Sequence, residues 1–332
     1  MLSVIISCYN CKPYIKEVLN SILIQGEDDL EVIISDDNST DGFMEIVDQY
    51  RSLLNIKYFK VGPHKIHCPG NTRRDGLSHA TGDWVTFMDH DDQFQPGSFQ
   101  MVKREFEKVG EPDINFVYTP VNKIDLNGNA EAVEAVTWLH GNFYRRQWLI
   151  DNDINFREDL YGNEDLYFNN LVYGTMAGTG EHYIKIATPI YNWYARPEST
   201  SNKKEEGVLQ YTEKYFGDYL IANSEPHFIG AQKYPSQRQH FEDELTQMLL
   251  FAYLYYQRAI YTYKNEEILK DMLNAIKETF EKTKEILNVD TQYIITNLTS
   301  NLDRYWGSVD IIGKLSGKFV PDKSIKDFYN SL

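Results

Sequence analysis

Three short apolar runs, Leu2–Ser7 (LSVIIS), Leu30–Ser35 (LEVIIS) and Trp84–Met88 (WVTFM), each stop abruptly at a cluster of polar residues. Runs this short and this rich in β-branched residues suit strands buried on both faces. Helical patterns over Tyr14–Gln25 and Phe43–Leu54 follow the first two runs. Another strand over Ile56–Val61 and a helix over Thr72–Ala80 precede the third. Strand, helix, strand, helix in this rhythm predicts parallel βαβ units in an α/β fold. Such a sheet collects ligands beyond the carboxyl ends of its strands. The clusters Ser7–Asn10, Asp36–Asp41 and Asp89–Asp92 are therefore expected to meet in space.

Asn115–Tyr118 and Tyr183–Tyr194 read as further strands, and the polar run Arg196–Glu206 as a loop after the last. From about Ser236 the pattern changes to long helices, His240–Tyr263 and Glu266–Leu287, with Leu269, Met272, Leu273 and Ile276 at helical spacing. Residues 223–236, containing Pro226, Gly230 and Pro235, read as the connection. The expected division is thus 1–222 and a mainly helical 223–332, the latter serving acceptor, oligomer or membrane-surface contact. A helical bundle packed on the first region is equally consistent.

The formal charge of 33 − 49 = −16 disfavours a nucleic-acid partner, whose phosphates are bound through Lys and Arg. Cys8, Cys11 and Cys68 form neither a paired metal-ligand spacing nor a secreted disulfide framework, which favours a reducing, cytoplasmic compartment. The opening MLSVIISCYN has no basic leader and reads as a strand. The apolar run Met248–Tyr256 is about half the roughly 20 residues of a spanning helix, so no transmembrane span is expected. Peripheral membrane contact and a homo-oligomer stay open.

Chemistry concentrates in Asp89-His90-Asp91-Asp92. Carboxylates this close repel one another, and a strand end tolerates them when a cation compensates or water solvates them. Hard oxygen ligands suit Mg2+ or Mn2+, and an ion held by few carboxylates leaves positions for substrate phosphates. The competing reading is an Asp-rich turn, with His90 a spacer. In Asp36-Asp37-Asn38-Ser39-Thr40-Asp41, Ser39 or Asp41 suits a helix cap. The acidic pair also suits hydrogen bonds from a nucleobase imide or a ribose hydroxyl.

Four segments, VIISCYNCKPYIKEVLNSILIQ, EVIISDDNSTDGF, NTRRDGLSHATGDWVTFMDHDD and LYGNEDLYF, resemble the family 2 inverting glycosyltransferases of the GT-A fold, in order and over roughly residues 1–200. The resemblance implies a Rossmann-like, mostly parallel sheet flanked by helices, here with a helical C-terminal extension. It implies a nucleotide-sugar donor, UDP-sugar favoured, and a carbohydrate or glycoconjugate acceptor. Ser7, Tyr9 and Asp37 fall where the family contacts base and ribose, and Arg73 where it approaches base or diphosphate. Asp91 would hold ribose or sugar, while Asp92, with Asp89, would hold the Mn2+ or Mg2+.

Asp165 falls on the family's catalytic base and Glu164 beside it, where both also suit helix capping. His140, in WLHGN, falls on the acceptor side. Arg196 falls in a loop over the donor, where a guanidinium pairs with phosphate oxygens, and Lys203 and Lys204 are weaker candidates. Arg74, Asp75 and His90 depart from the family pattern. The segment HKIHCPGN is unfamiliar there, and with no third ligand nearby His64 and His67 read as loop residues. A nucleotidyltransferase would need a glycine-rich basic loop that CYNCKPY does not supply. A catalytically silent nucleotide- or sugar-binding module is the remaining alternative.

Overall fold

The computed structural model describes residues 1–64, 66–109, 114–134, 136–196, 215–262, 265–301 and 325–332. By packing, the chain divides into one unit of residues 1–172 and 180–204 and another of 173–179 and 205–332.

The first unit is built on a seven-stranded sheet, formed by β1 (Leu2–Cys8), β2 (Leu30–Asp36), β3 (Ile56–Lys60), β4 (Trp84–Asp89), β6 (Phe116–Tyr118), β9 (Phe143–Arg145) and β10 (Ile184–Lys185). Its order is β10-β6-β9-β4-β1-β2-β3. All neighbours are parallel except β9, which runs antiparallel to both β4 and β6. Val4, Ile5, Ile6, Val32, Ile33 and Ile34 are fully buried, as continuous apolar strands between helical layers should be. The register pairs Ser7 with both Ser35 and Asp89, and Cys8 with Asp36, so the three polar clusters leave the sheet side by side on one rim.

A second sheet of order β5-β11-β7-β8 joins β5 (Gln93–Phe94), β7 (Val121–Ile124), β8 (Ala130–Val133) and β11 (Tyr191–Tyr194). Its strand β11 returns to the segment that directly follows Asp92.

Helices α1 (Ile15–Leu23), α2 (Met44–Tyr50) and α3 (Pro69–His79) realise the predicted crossovers. Helix α3 approaches the sheet at Gly76, where a Cβ would stand 2.5 Å from Ile5 Cγ2. Helices α4 (Ser98–Val109) and α5 (Arg146–Asp151) are additions to the sequence pattern, although Phe99, Val102 and Phe106 stand at helical spacing in α4, and α6 (Glu164–Thr179) is the helix that Glu164 and Asp165 suit as caps.

In the second unit, helices span Phe216–Lys233, Arg238–Thr262, Glu266–Leu287, Thr291–Asn301 and Ile325–Asn330. They enclose a core that includes Phe216, Leu220, Leu249, Tyr253, Ile276, Phe280, Leu298 and Tyr329. The reading of residues 223–236 as a connection is corrected here, because Pro226 and Gly230 lie inside a helix that runs to Lys233. Packing outweighs local propensity: Phe216, Leu220 and Phe228 are buried, and the Phe241 ring fills the space that a Cβ on Gly230 would need. Among the described residues no helix is long and apolar enough to cross a membrane.

The Gly76 contact generates a prediction. Gly76→Ala forces α3 off β1 and should cost about 1–3 kcal/mol, read as a lowered urea midpoint. An unchanged midpoint would show that the helix does not press on the strand.

Candidate active site

Three loops meet at the rim of β1, β2 and β4, and two of them turn through an asparagine in the left-handed region: Asn10 (φ 50) and Asn38 (φ 61). Asparagine enters this region more readily than most residues. The first two loops are laced together. The Thr40 N–H donates to Asn10 Oδ1 (3.0 Å), and the Lys12 N–H donates to Asp41 Oδ2 (2.7 Å). Buried Asp36 accepts the Ser39 N–H (2.9 Å) and the Tyr58 hydroxyl (2.7 Å), which makes it a structural member of the acidic pair.

Asp37 remains at the rim, its N–H donating to the Cys8 carbonyl (2.8 Å). Beside it Tyr9 stands 59% exposed, an unusual position for a large ring, while Ser7 is buried and its carbonyl lies 3.0 Å from His90 Nδ1. His90 thus ties two loops together.

The third loop carries the carboxylates. Asp89 Oδ1 accepts from Arg73 Nη2 (2.7 Å), and Asp89 Oδ2 lies 3.0 Å from His140 Nε2. Arg73 Nη1 donates to Glu164 Oε1 (2.7 Å). Arg73, expected at the base or diphosphate, is only 5% exposed and commits both terminal nitrogens to carboxylates on different elements. Asp92 is also buried: Tyr191 donates its hydroxyl to Oδ2 (3.0 Å), and the Tyr194 N–H donates to Oδ1 (2.9 Å). Asp91 is more open. Its backbone carbonyl accepts from Arg196 Nη2 (2.7 Å), and the Arg196 guanidinium lies 4.6 Å from the Tyr14 ring centroid and 5.0 Å from that of Tyr194.

These surroundings separate the carboxylates electrostatically. Burial alone would raise the Asp89 acid, but Arg73 and His140 hold it well below the usual range. Burial pushes Asp92 well above that range against the pull of His140, and repulsion from Asp89 and Asp91 adds to the rise. Asp91 is raised by burial and by Asp89. Burial disfavours a charged His140, but Asp89 and Asp92 outweigh it and keep the ring protonated to higher pH. Asp89, Asp92 and His140 each offer a ligand atom, all within 4.8 Å of one another. Such an oxygen and imidazole set, with His140 deprotonated, fits a divalent ion such as Mn2+, whose charge would meet the need that buried Asp92 expresses.

Glu164 and Asp165 open α6, directly after Asn163 (φ 62). Half-buried Asp165 accepts the Leu166 N–H (2.8 Å), and its acid is pushed up to about 6 by burial and by Glu164, against the pull of Arg73. Glu164 presses on α3: a Cβ on Gly70 would stand 2.8 Å from Glu164 Cβ. His64 and His67 do not share a ligand. His64 Nε2 lies 3.1 Å from Asp75 and His67 Nδ1 lies 2.9 Å from Asp37. Lys203 and Lys204 lie outside the described residues. Tyr14, Tyr191 and Tyr194 are site residues that sequence reasoning missed. Alternating aromatics in a strand such as YNWY read as core, and only the partners of Asp92 and Arg196 reveal their role.

A mostly parallel sheet with this carboxylate-rich rim has the GT-A architecture, and comparison with known proteins gives its class. Residues 3–159 match the family model for Glycosyl transferase family 2. An uncharacterized glycosyltransferase of Nostoc sp., alr2836, is 33% identical over 256 residues, covering 66% of this chain and 76% of that protein. The poly(ribitol-phosphate) beta-N-acetylglucosaminyltransferase TarS of Staphylococcus aureus is 32% identical over 192 residues, covering 52% of this chain but 32% of TarS. The crystal structure of S. aureus TarS 1–349 in complex with UDP-GlcNAc has a TM-score of 0.69 at 20% identity, covering 96% of this chain and 92% of that one, a likeness of fold. The chain belongs to glycosyltransferase family 2.

The buried ion chain generates a prediction. Arg73→Met leaves Glu164 without its cation and Asp89 with His140 alone, and should cost about 3–5 kcal/mol in denaturant unfolding. Arg73→Met/Glu164→Gln should recover part of that loss. Strictly additive single effects would mean that the two side chains do not act as a pair.

Proposed function

We propose that the chain transfers a sugar from a UDP-sugar to an acceptor hydroxyl of a carbohydrate or glycoconjugate, with inversion at the anomeric carbon and Asp165 as the base. The acceptor oxygen bonds to that carbon from the face opposite the diphosphate. The bond to the diphosphate oxygen breaks with its electron pair, and the acceptor proton passes to Asp165. The observation that carries this reading is the contrast within one helical turn of two adjacent carboxylates. Glu164 is neutralised by Arg73, whereas Asp165 has its acid pushed up to about 6. A carboxylate of that strength is ionised at neutral pH yet holds a proton better than an ordinary aspartate, as a general base should.

Tyr9, Ser7 and Asp37 suit the nucleoside, the exposed ring offering a stacking face and Asp37 an acceptor. Asp91 and Arg196 suit the ribose, sugar and diphosphate, with Arg196 held between two tyrosine rings. Asp92 and Asp89 would hold a divalent ion with His140 in reach. When bound, that ion offsets charge on the departing diphosphate. The choice of uridine follows the UDP-GlcNAc complex of TarS by analogy. Three buried free cysteines agree with a reducing, cytoplasmic setting.

The test is a donor screen that follows thermal stabilisation by UDP, GDP, CDP and dTDP sugars with and without Mn2+, followed by release of UDP in the presence of carbohydrate acceptors. Uridine donors with metal should stabilise most. Folded Asp165→Asn should lose at least about 100-fold in turnover while still binding donor. Because Asp165 acts when ionised, wild-type kcat/KM should be full well above about 6, reach half near that value and fall with further acid. Full turnover by Asp165→Asn would sink the assignment of the base.

A further inference from the structure

The segment from Gly62 to Asn71 is pinned at three places, and the last of them falls on the nucleoside side of the rim. The Gly62 N–H donates to Asp75 Oδ2 (3.2 Å), and His64 Nε2 lies 3.1 Å from the same oxygen. The Ile66 carbonyl accepts from the side chain of buried Asn71 (2.8 Å). His67 then reaches Asp37, with 2.9 Å between Nδ1 and Oδ1. A carboxylate only accepts, so Nδ1 carries the proton and donates it.

His67 is not packing material. Its side chain is 72% exposed while that of Asp37 is 12% exposed, and a contact reached from the solvent side by so open a partner contributes little to stability. What the contact does is orient Asp37. Among the described residues no other side chain is hydrogen-bonded to that carboxylate, whereas neighbouring Asp36 has its oxygens taken by Ser39 and Tyr58. The rotamer of Asp37, and so the direction of its second oxygen, depends on the imidazole.

We propose that His67 is a positioning residue for nucleotide selection. By holding Oδ1 it aims the rest of the Asp37 carboxylate as an acceptor for the imide N–H of uracil. Cytosine presents a bare ring nitrogen at the same edge, so its lone pair would face the lone pairs of Asp37. An acceptor left facing an acceptor is the kind of mismatch that discriminates strongly between ligands of equal size. This rests on the reading of Asp37 as a base contact given above, and adds to it the residue that makes the contact selective.

Calorimetric titration of UDP and of CDP into wild type, His67→Ala and His67→Asn, with Mn2+ present, tests the proposal. Wild type should prefer UDP. His67→Ala should weaken UDP by about five- to tenfold, the scale of one ordinary net hydrogen bond, and change CDP by less than about twofold. Its loss in transfer should appear in the donor KM and not in kcat, and its unfolding temperature should match wild type. His67→Asn, which keeps a donor for Asp37, should restore much of the preference. Equal loss of UDP and CDP affinity, or no loss of either, overturns the role of His67. A wild-type chain that binds no uridine nucleotide overturns the donor reading itself.

Discussion

A guanidinium removed from water is tolerated only when its charge is matched and its donors are used, and Arg73 meets that condition by spanning two elements far apart in sequence. Asp89 ends β4 and Glu164 starts α6, and one buried side chain from α3 holds both at 2.7 Å. The end of the sheet and the start of the helix that carries Asp165 are therefore fixed to one another by charge. His140 adds a second positive group on Asp89, so the carboxylate that begins the acidic loop is satisfied before any ligand arrives. The carboxylates after it inherit the consequences. Asp92 has hydrogen-bond donors but no full counter-ion, and its burial expresses itself as a weakened acid that holds its proton to higher pH.

The strands and their order of polar clusters were legible in the sequence because β1, β2 and β4 are buried on both faces, and burial on both faces writes a continuous apolar run. The loops were legible for a related reason: a strand end facing a ligand must switch sharply from Val and Ile to Asp, Ser and Asn. Less legible was anything decided by a distant partner. Arg73 looks like a solvent-facing helix residue until Glu164, 91 residues on, is brought to it. Strand β9 gives no sign in PheTyrArg that it will insert antiparallel between two other strands. Pro226 and Gly230 argue locally for a break, and the Phe241 ring that makes Gly230 necessary belongs to another helix.

The acidic pairs follow one rule that composition cannot convey. In Asp36-Asp37 the first residue is buried and consumed by Ser39 and Tyr58, and the second stays at the rim. In Glu164-Asp165 the first is consumed by Arg73. In Asp89-His90-Asp91-Asp92 the first is paired with Arg73 and His140, the last is buried under Tyr191, and Asp91, as open as Asp89, has the Arg196 guanidinium beside it. Each time, one carboxylate builds the loop so that its neighbour can be presented.

That arrangement bears on how two adjacent carboxylates come to differ in chemistry. Environment, not residue type, sets a carboxyl group's role. Glu164 lowers the field at Arg73 by neutralising it, and the same Glu164 repels charge on Asp165. Arg73 works in the opposite sense, pulling Asp165 down, so the proton affinity of Asp165 reflects both members of one ion pair. A brace paired with Asp165 directly would hold its acid down, as Arg73 and His140 do at Asp89. Placing the cation one residue away, on Glu164, keeps α6 anchored to the sheet while leaving its neighbour basic.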